Sequence, residues 1–431
     1  MNDTDKVINI PRTARERVLI VGGGFGGLKL ARKLSKLDYQ VVMLDRNNYH
    51  QFQPLFYQVA TSGLEPSSIS FPIRKIFQKS PEFFFRIAEL QKVMPDEKKV
   101  YTTAGVLSYD HLVLAVGVDT NFFGNENIRK HALPMKSLVE ALDLRNRILE
   151  NYEEALGRED PKDCSALMNI VVVGGGPTGV EVSGTLIEMK NYVLPKDYHE
   201  LDFSCMKVYL IEASPRLLNG MSEKASQKAH YYLEKAGVIV RTHTRVKDYD
   251  GEKVTLEDGG TLHARTMVWA AGVIGNRLEG IPQEAMTKGN RIKIDEYLRA
   301  AGMKDVYAIG DIAFMTEKDY PHGHPQVAQV AIQMGETLAE NFKNRLKNKT
   351  PEPFRYKDLG SLATVGRNHA VADLPKIKFQ GFFAWLTWML VHLMSLVGFK
   401  NRLMVFINWA WSYFTYDQSL RLIIKVRKGK S

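Results

Sequence analysis

Cysteine is almost missing from this chain of 431 residues: Cys164 and Cys205 are the only two, 41 positions apart, and no CxxC pair occurs. That scarcity argues against a disulfide framework, a zinc ribbon or an iron–sulfur cluster, and no metal site is expected. It fits a reducing compartment. The first residues, MNDTDKVINIPRTARERV, hold no apolar run, so no secretory signal is expected. Acidic residues are scarce at the other end. From residue 374 onward nine Lys/Arg face one acid, Asp417, so this segment carries +8 of the net +10. Its basic residues flank apolar runs instead of covering a folded face, a pattern that suits an anionic membrane surface and not nucleic acid. Hydrophobic residues at 45% and charged residues at 25% are ordinary for a globular protein. The length allows two to three domains.

Glycine is present in clusters, and two clusters follow one plan. In RVLIVGGGFGG, residues 17–27, a continuous apolar run reads as a buried parallel strand. Gly22, Gly24 and Gly27 then stand in GxGxxG spacing, and Leu30, Leu34 and Leu37 continue as one face of a helix. The next strand, YQVVMLD, ends at Asp45, close to where a ribose-binding acid usually follows such a turn. In NIVVVGGGPTGVE, residues 169–181, the glycines are Gly174, Gly176 and Gly179, and Val182, Leu186 and Met189 continue the helix. Its partner strand, KVYLIE, ends at Glu212, well beyond the usual spacing, which places an insertion around Tyr192–Phe203. YDHLVLAVG (109–117) and RTMVWAAG (265–272) form a third matching pair. The fold class expected is α/β, with two Rossmann-like, doubly wound dinucleotide-binding domains.

A glycine turn of this kind lets backbone N–H groups and a helix N-terminus approach a pyrophosphate, which side chains would block. Asp45 and Glu212 are placed to hold ribose hydroxyls; either could instead be a solvated strand-end acid. Glu212 repels a 2′-phosphate and so favours NADH, although Arg216 keeps NADPH from being excluded. Two such sites in one chain imply an electron relay between a resident flavin and a diffusing nicotinamide. VYAIGDIA (306–313) reads as a strand ending at Gly310 and Asp311, with Asp311 either on a ribityl hydroxyl or acting as a helix N-cap. Residues 324–342 read as a helix, and 358–373 as strands. With no paired cysteines to receive electrons, the acceptor is a soluble protein, oxygen or a lipid-phase molecule, and the carboxyl end favours lipid. Residues 382–399 carry no formal charge, and their polar positions Thr387, His392 and Ser395 share an arc of roughly 140° at helical spacing. Lys376, Lys378, Lys400 and Arg402 bracket the run, and a second apolar run spans 403–416. Trp385, Trp388, Trp409, Trp411, Tyr413 and Tyr416 supply interfacial aromatics. An 18-residue helix, about 27 Å long, barely spans a bilayer. A hairpin of helices lying in one leaflet is the preferred reading over a true span, and a buried dimer interface is the plainer alternative.

These residues resemble the type II NADH dehydrogenases, single-subunit NADH:quinone oxidoreductases. The resemblance runs from about Arg17 to Ile424 through GGGFGG, NYHQFQPLFYQVATSGLEP, YDHLVLAVG, VVVGGGPTGVE, IEASPRLL, VWAAGV, YAIGDIA, HPQVAQVAIQMG and WLTWMLVHLMSLVGFKNRL. The two glycine motifs are generic; the glutamine helix and aromatic tail are specific to that family. The resemblance implies one non-covalent FAD in residues 15–121 and 290–373, NADH in 165–280, and a membrane-anchoring segment in 374–431. The second part of the FAD fold would carry the quinone helix. Motif and resemblance together assign FAD to Gly22, Gly24, Phe25, Gly26, Gly27, Asp45, Arg46, Gly117, Gly310 and Asp311. They assign NADH to Gly174, Gly176, Pro177, Thr178, Gly179, Glu181, Glu212, Ala271 and Gly272. Gln329 and Gln333 in AQVAIQ match the family's quinone-site motif, although a core-helix role for them is equally reasonable from the residues alone. Eukaryotic relatives often carry a histidine where this chain has Ile332.

Glu181 would lie near the stacked nicotinamide and flavin with a part in proton supply, or simply complement the helix dipole. Lys376 and Lys378 are candidates for a lysine near the flavin. The aromatic loop 47–60 would cover the flavin, with packing as good an explanation as contact. The implied reaction passes a hydride from NADH to FAD and two electrons to a quinone without proton pumping, on the cytoplasmic face of the inner cell membrane. The tail could also build a two-fold dimer. The rival readings are a sulfide:quinone or ferredoxin-type reductase, weakened because both cysteines fall in or beside the nicotinamide domain, and a non-catalytic protein that holds its nucleotides structurally.

Overall fold

The computed structural model describes residues 6–158, 160–416 and 420–424. Asp417 and the basic tail residues Lys425, Arg427, Lys428 and Lys430 lie outside the described residues. The chain forms two compact units. One contains the residues through His50, Phe71–Asp119 and Val273–Asp358; the other contains Gln51–Ser70, Thr120–Gly272 and the residues from Leu359 on.

The first unit is built on a five-stranded sheet in the order Val306–Ala308, His111–Leu114, Arg17–Val21, Gln40–Asp45, Phe83–Ile87. All its neighbours are parallel, with Arg17 beside Gln40 and Val18 beside His111. The central strand is buried at every position, which is why it reads as an unbroken apolar run instead of an alternation. The first glycine helix, Phe25–Leu34, follows, so Leu37 falls beyond its end. It packs on the glutamine helix, Ala328–Leu346, at a distance only glycine permits: a Cβ on Gly26 would stand 2.9 Å from the Ala331 carbonyl oxygen. The glutamine helix starts later than the sequence pattern indicates. Pro325 lacks an N–H and Val327 is extended, so His324–Val327 stay outside it.

The second unit repeats the sheet with other parts of the chain: Leu133–Pro134, Thr266–Trp269, Ile170–Val173, Val208–Ile211, Ile239–Arg241, again all parallel. The second glycine helix, Pro177–Glu188, runs into a π-helical turn at Met189–Val193. A short helix at Leu194–Asp197 and a 3-10 turn at Phe203–Cys205 account for the long spacing between Gly174 and Glu212. The aromatic helix, Phe56–Ala60, packs on Leu138–Ala155 and on the second glycine helix, which is why residues 51–70 cluster with this unit and not with the first. The expected strands near 358–373 are an antiparallel pair, Ser361–Thr364 and Ala370–Asp373, extended by Lys378–Gln380.

The tail departs from the single helix expected over 382–399. The first tail helix ends at Ser395, and the second runs from Phe399 to Thr415. Gly398, at φ +87°, makes the break, a conformation other residues rarely adopt. Lys400, Asn401 and Arg402 are therefore in the first turn of a helix. Arg402 Nε donates to the Leu396 carbonyl at 3.0 Å, closing the end of the preceding helix. Among the described residues no helix is long and apolar enough to cross a membrane. Phe383, Leu386, Leu390 and Met394 on one helix, and Phe399, Leu403, Phe406 and Phe414 on the other, are all exposed. Each helix thus turns an apolar face outward.

Candidate functional site

The two glycine turns share their backbone geometry. Gly22 and Gly174 take φ of +109° and +110°, where a side chain is strained. In both, the strand-end acid reaches back to the turn. Asp45 accepts from the Gly23 N–H at 2.6 Å and the Asn47 N–H at 2.7 Å. Glu212 accepts from the Gly175 N–H and from the Ser214 N–H at 2.6 Å. Burial raises the Asp45 pKa, and the two N–H donors oppose the rise. A Cβ on Gly24 or on Gly176 would meet nothing within 4 Å. The space in front of each helix N-terminus is therefore open, and no side chain caps either one. Helix N-termini that face open space and carry no side-chain cap suit an anionic pyrophosphate, so each turn fits a dinucleotide.

A second feature lies wholly inside the second unit. A cavity of about 100 Å³, open to solvent, has the aromatic side chains of Trp385, Trp388, Trp409 and Tyr413 on its tail-helix side. Tyr57, Thr185, Glu188, Thr364 and Arg367 also line it. Glu181 is 7% exposed; its Oε1 accepts from the Trp388 indole N–H at 3.2 Å and the Thr364 N–H at 3.4 Å. Burial pushes its pKa up to about 8, and the two donors only partly offset this. Burial also raises Glu188, whose carboxylate accepts from the Arg367 main-chain N–H. The phenol of Tyr57 is pushed well up by burial and then by the charge of Glu181. The Arg367 guanidinium donates to the carbonyls of Ser412 and Tyr413 at 2.8 and 2.9 Å and lies 3.6 Å from the Tyr416 ring centre. It thereby closes the carbonyl end of the second tail helix.

The NDH2 C-terminal domain family matches residues 359–415, the stretch that supplies those tail helices, and the pyridine nucleotide-disulphide oxidoreductase family matches residues 16–335. The type II NADH:quinone oxidoreductase Ndh of Mycobacterium tuberculosis is 34% identical over 416 residues, covering 93% of this chain and 89% of the relative. The chain belongs to the type II NADH:quinone oxidoreductases. NDH2 from Plasmodium falciparum, solved in complex with NADH, shares the fold at a TM-score of 0.86 and 22% identity, covering 95% of this chain and all of that one. The sulfide:quinone oxidoreductase of Aquifex aeolicus shares it at 0.70 and 18%, covering 95% and 96%.

For a type II NADH:quinone oxidoreductase, the expected site residues divide as follows. Gly22, Gly24, Phe25, Gly26, Gly27, Asp45, Arg46, Gly117, Gly310, Asp311, Gln329 and Gln333 all lie in the first unit, and the residues assigned to NADH lie in the second. Arg46 is exposed, Gly117 (φ +67°) follows the His111–Leu114 strand, and Ala271 and Gly272 follow Thr266–Trp269. Pro177 and Thr178 are exposed on the first turn of their helix. Asp311 is not an N-cap: Ile309 holds that position before a 3-10 turn at Gly310–Ile312. The Gln333 amide is engaged with main chain, donating to the Lys357 carbonyl and accepting from the Lys357 N–H, both at 2.9 Å. Lys376 and Lys378 are exposed on the second unit. Trp388 is 1% exposed and so is not an interfacial aromatic; Trp411, at 61%, is outward-facing. The polar positions Thr387, His392 and Ser395 each bond a carbonyl four residues back, which lets them sit on an apolar helix. His392 is pulled down to about 4 by burial and stacks on Trp388 at 4.1 Å.

Sequence reasoning missed His50, whose Nδ1 lies 2.9 Å from the Gly23 carbonyl and whose ring meets Phe25 edge-on at 5.3 Å. It also missed Arg367 and Glu188. Glu188 carried a signal: it stands two helical turns beyond Glu181, along the same face.

Proposed function

We propose that the turn at Gly22–Gly27 holds one non-covalent FAD, that the turn at Gly174–Gly179 takes NADH, and that the aromatic cavity of the second unit receives the ring of a membrane quinone. The enzyme oxidises NADH and reduces the quinone to quinol without pumping protons. Bound FAD supplies the chemistry of accepting a hydride and releasing two electrons. The chain supplies the rest. Asp45 and Glu212 brace their glycine turns and meet ribose hydroxyls, and Glu212 favours NADH over NADPH by repelling a 2′-phosphate. Trp388 and Trp409 flank the quinone ring, and the Trp409 indole N–H, which donates to Gln58 at 2.7 Å, fixes that wall. The apolar outward faces of the tail helices lie on the bilayer with Lys400 and Arg402 at the headgroups, on the cytoplasmic side where NADH is found.

The observation that carries this reading is the cavity itself, walled by the aromatic side chains of helices whose other faces are bare and apolar. Holoprotein in detergent should show tryptophan fluorescence quenched saturably by a short-chain quinone, with Trp409→Leu weakening both the quenching and the KM for quinone about tenfold. Quinone turnover with no quenching sinks the cavity reading.

A further inference from the structure

The reaction NADH + quinone + H⁺ → NAD⁺ + quinol leaves one hydrogen to find. The hydride brings both electrons and the first hydrogen; the second must arrive as a proton. Glu181 is the acid that sequence and resemblance bring forward, yet it does not line the cavity. Its Oε1 accepts from the Thr364 N–H and the Trp388 indole, so it lies behind two residues that do. Glu188, two turns further along the helix, lines the cavity directly.

We propose that Glu188, and not Glu181, gives the proton to the reduced quinone. The inference rests on the reading that the cavity takes the quinone ring. The carboxyl O–H bond breaks, an O–H bond forms on the quinone oxygen, and the carboxylate regains a proton from water at the cavity mouth. The surroundings of Glu188 suit repeated loss and gain of a proton. Its carboxylate is oriented by the main-chain N–H of Arg367. The guanidinium of the same residue is committed to the Ser412 and Tyr413 carbonyls and the Tyr416 ring. Among the described residues no ion pair to Glu188 forms within 4 Å. A carboxyl in a bidentate guanidinium pair stays ionised; Glu188 has one N–H bond and a guanidinium that acts on it only through its charge. The titratable and charged groups that face it are Tyr57 on the aromatic helix, Arg367 in the turn after Ser361–Thr364, and Glu181 on its own helix. Burial raises the Glu188 pKa, against the Arg367 N–H and the Arg367 charge, which lower it.

The test uses full-length holoprotein carrying Glu188→Gln, Glu188→Asp or Glu181→Gln. Each is assayed with a short-chain quinone and with a one-electron iron complex that takes up no proton. Glu188→Gln should keep the NADH-to-iron rate and the quinone quenching of tryptophan. Its quinone rate should fall roughly 100-fold, with loss of the alkaline limb of its pH profile. Glu188→Asp should restore that limb, and Glu181→Gln should retain it. In infrared spectra, the band of a protonated carboxyl that responds to quinone binding should vanish in Glu188→Gln alone. A Glu188→Gln protein with the normal pH profile for quinone, or loss of the band in Glu181→Gln instead, overturns the assignment. Absence of quenching in the unsubstituted protein removes the parent reading; intact quenching with an unchanged profile removes only the role of Glu188.

Discussion

The two glycine turns agree in strand order, in φ at the first glycine and in the acid that bonds the second, yet the helices leaving them are put to different use. The first helix presents Gly26 to the Ala331 carbonyl and buries its face against another helix at close range. In the second, the matching position is Thr178, exposed to solvent, and the far end of the helix brings Glu188 to the aromatic cavity, with Glu181 behind its wall. The turn is a general anion cradle, and the function of each copy is decided by what the following helix meets. A helix sealed by glycine-to-backbone contact is held rigidly, as the proposed FAD seat requires. On the proposal above, the second helix sets one acid, Glu188, on a cavity wall where it can exchange a proton.

The sharpest way to break this comparison is at the positions both copies share. Gly24→Val should give a folded protein without yellow FAD, because the added side chain enters only the space reserved for the pyrophosphate. Gly176→Val should keep FAD and raise the KM for NADH by about 100-fold, roughly 2.7 kcal/mol. The thermal midpoint of Gly176→Val should hardly move, and that of Gly24→Val should fall to that of the FAD-free parent. Equal loss of both nucleotides in one variant would dissolve the distinction between the cradles.

The next effect is specific to the second helix. The folded-state pKa of Glu181 lies near 8, above its usual value of 4.5. The neutral form is therefore favoured by folding, so its contribution is complete below about pH 4.5 and is lost as pH rises toward 8. Glu181→Gln should thus be more stable than the parent by a margin that grows from pH 5 to pH 8, on the order of 2–3 kcal/mol at pH 7. Denaturant melts across that range check the slope; a constant margin would contradict the buried neutral acid.

The first helix offers a matching test of packing. Gly26→Ala must displace a carbonyl and should cost about 2 kcal/mol, whereas Thr178→Ala should change stability by less than about 0.5 kcal/mol. A modest effect belongs to the glutamine helix. Gln333→Ala gives up two bonds to the Lys357 backbone and should cost about 1 kcal/mol in a urea melt. A loss confined to quinone KM, with no change in melting, would support the expected substrate-contacting role.

Both nucleotide folds were legible because their evidence is local. An apolar run, a glycine turn and a strand-end acid follow one another along a short stretch of chain, and each is dictated by backbone geometry. The cavity was not, because its walls come from Tyr57, Thr185, Arg367 and Trp409, which are far apart in sequence. Trp388 illustrates the difficulty. Its neighbours along the helix are exposed apolar residues, so spacing alone groups it with them, whereas its indole is buried on an acid 207 positions earlier. The tail break was misplaced for a simpler reason: charge counting marks Lys400 as the boundary, but the chain turns where glycine allows it, at Gly398.

The first sheet takes its edge strand, Val306–Ala308, and the Gly310–Asp311 turn from a part of the chain that follows the whole of the second sheet. During synthesis the second sheet is therefore complete while the first still waits for all the chain between Leu114 and Val306 to emerge. At about 5–20 residues per second that wait lasts roughly 10–40 s. Through this interval the first sheet lacks both that edge and the Gly310–Asp311 turn.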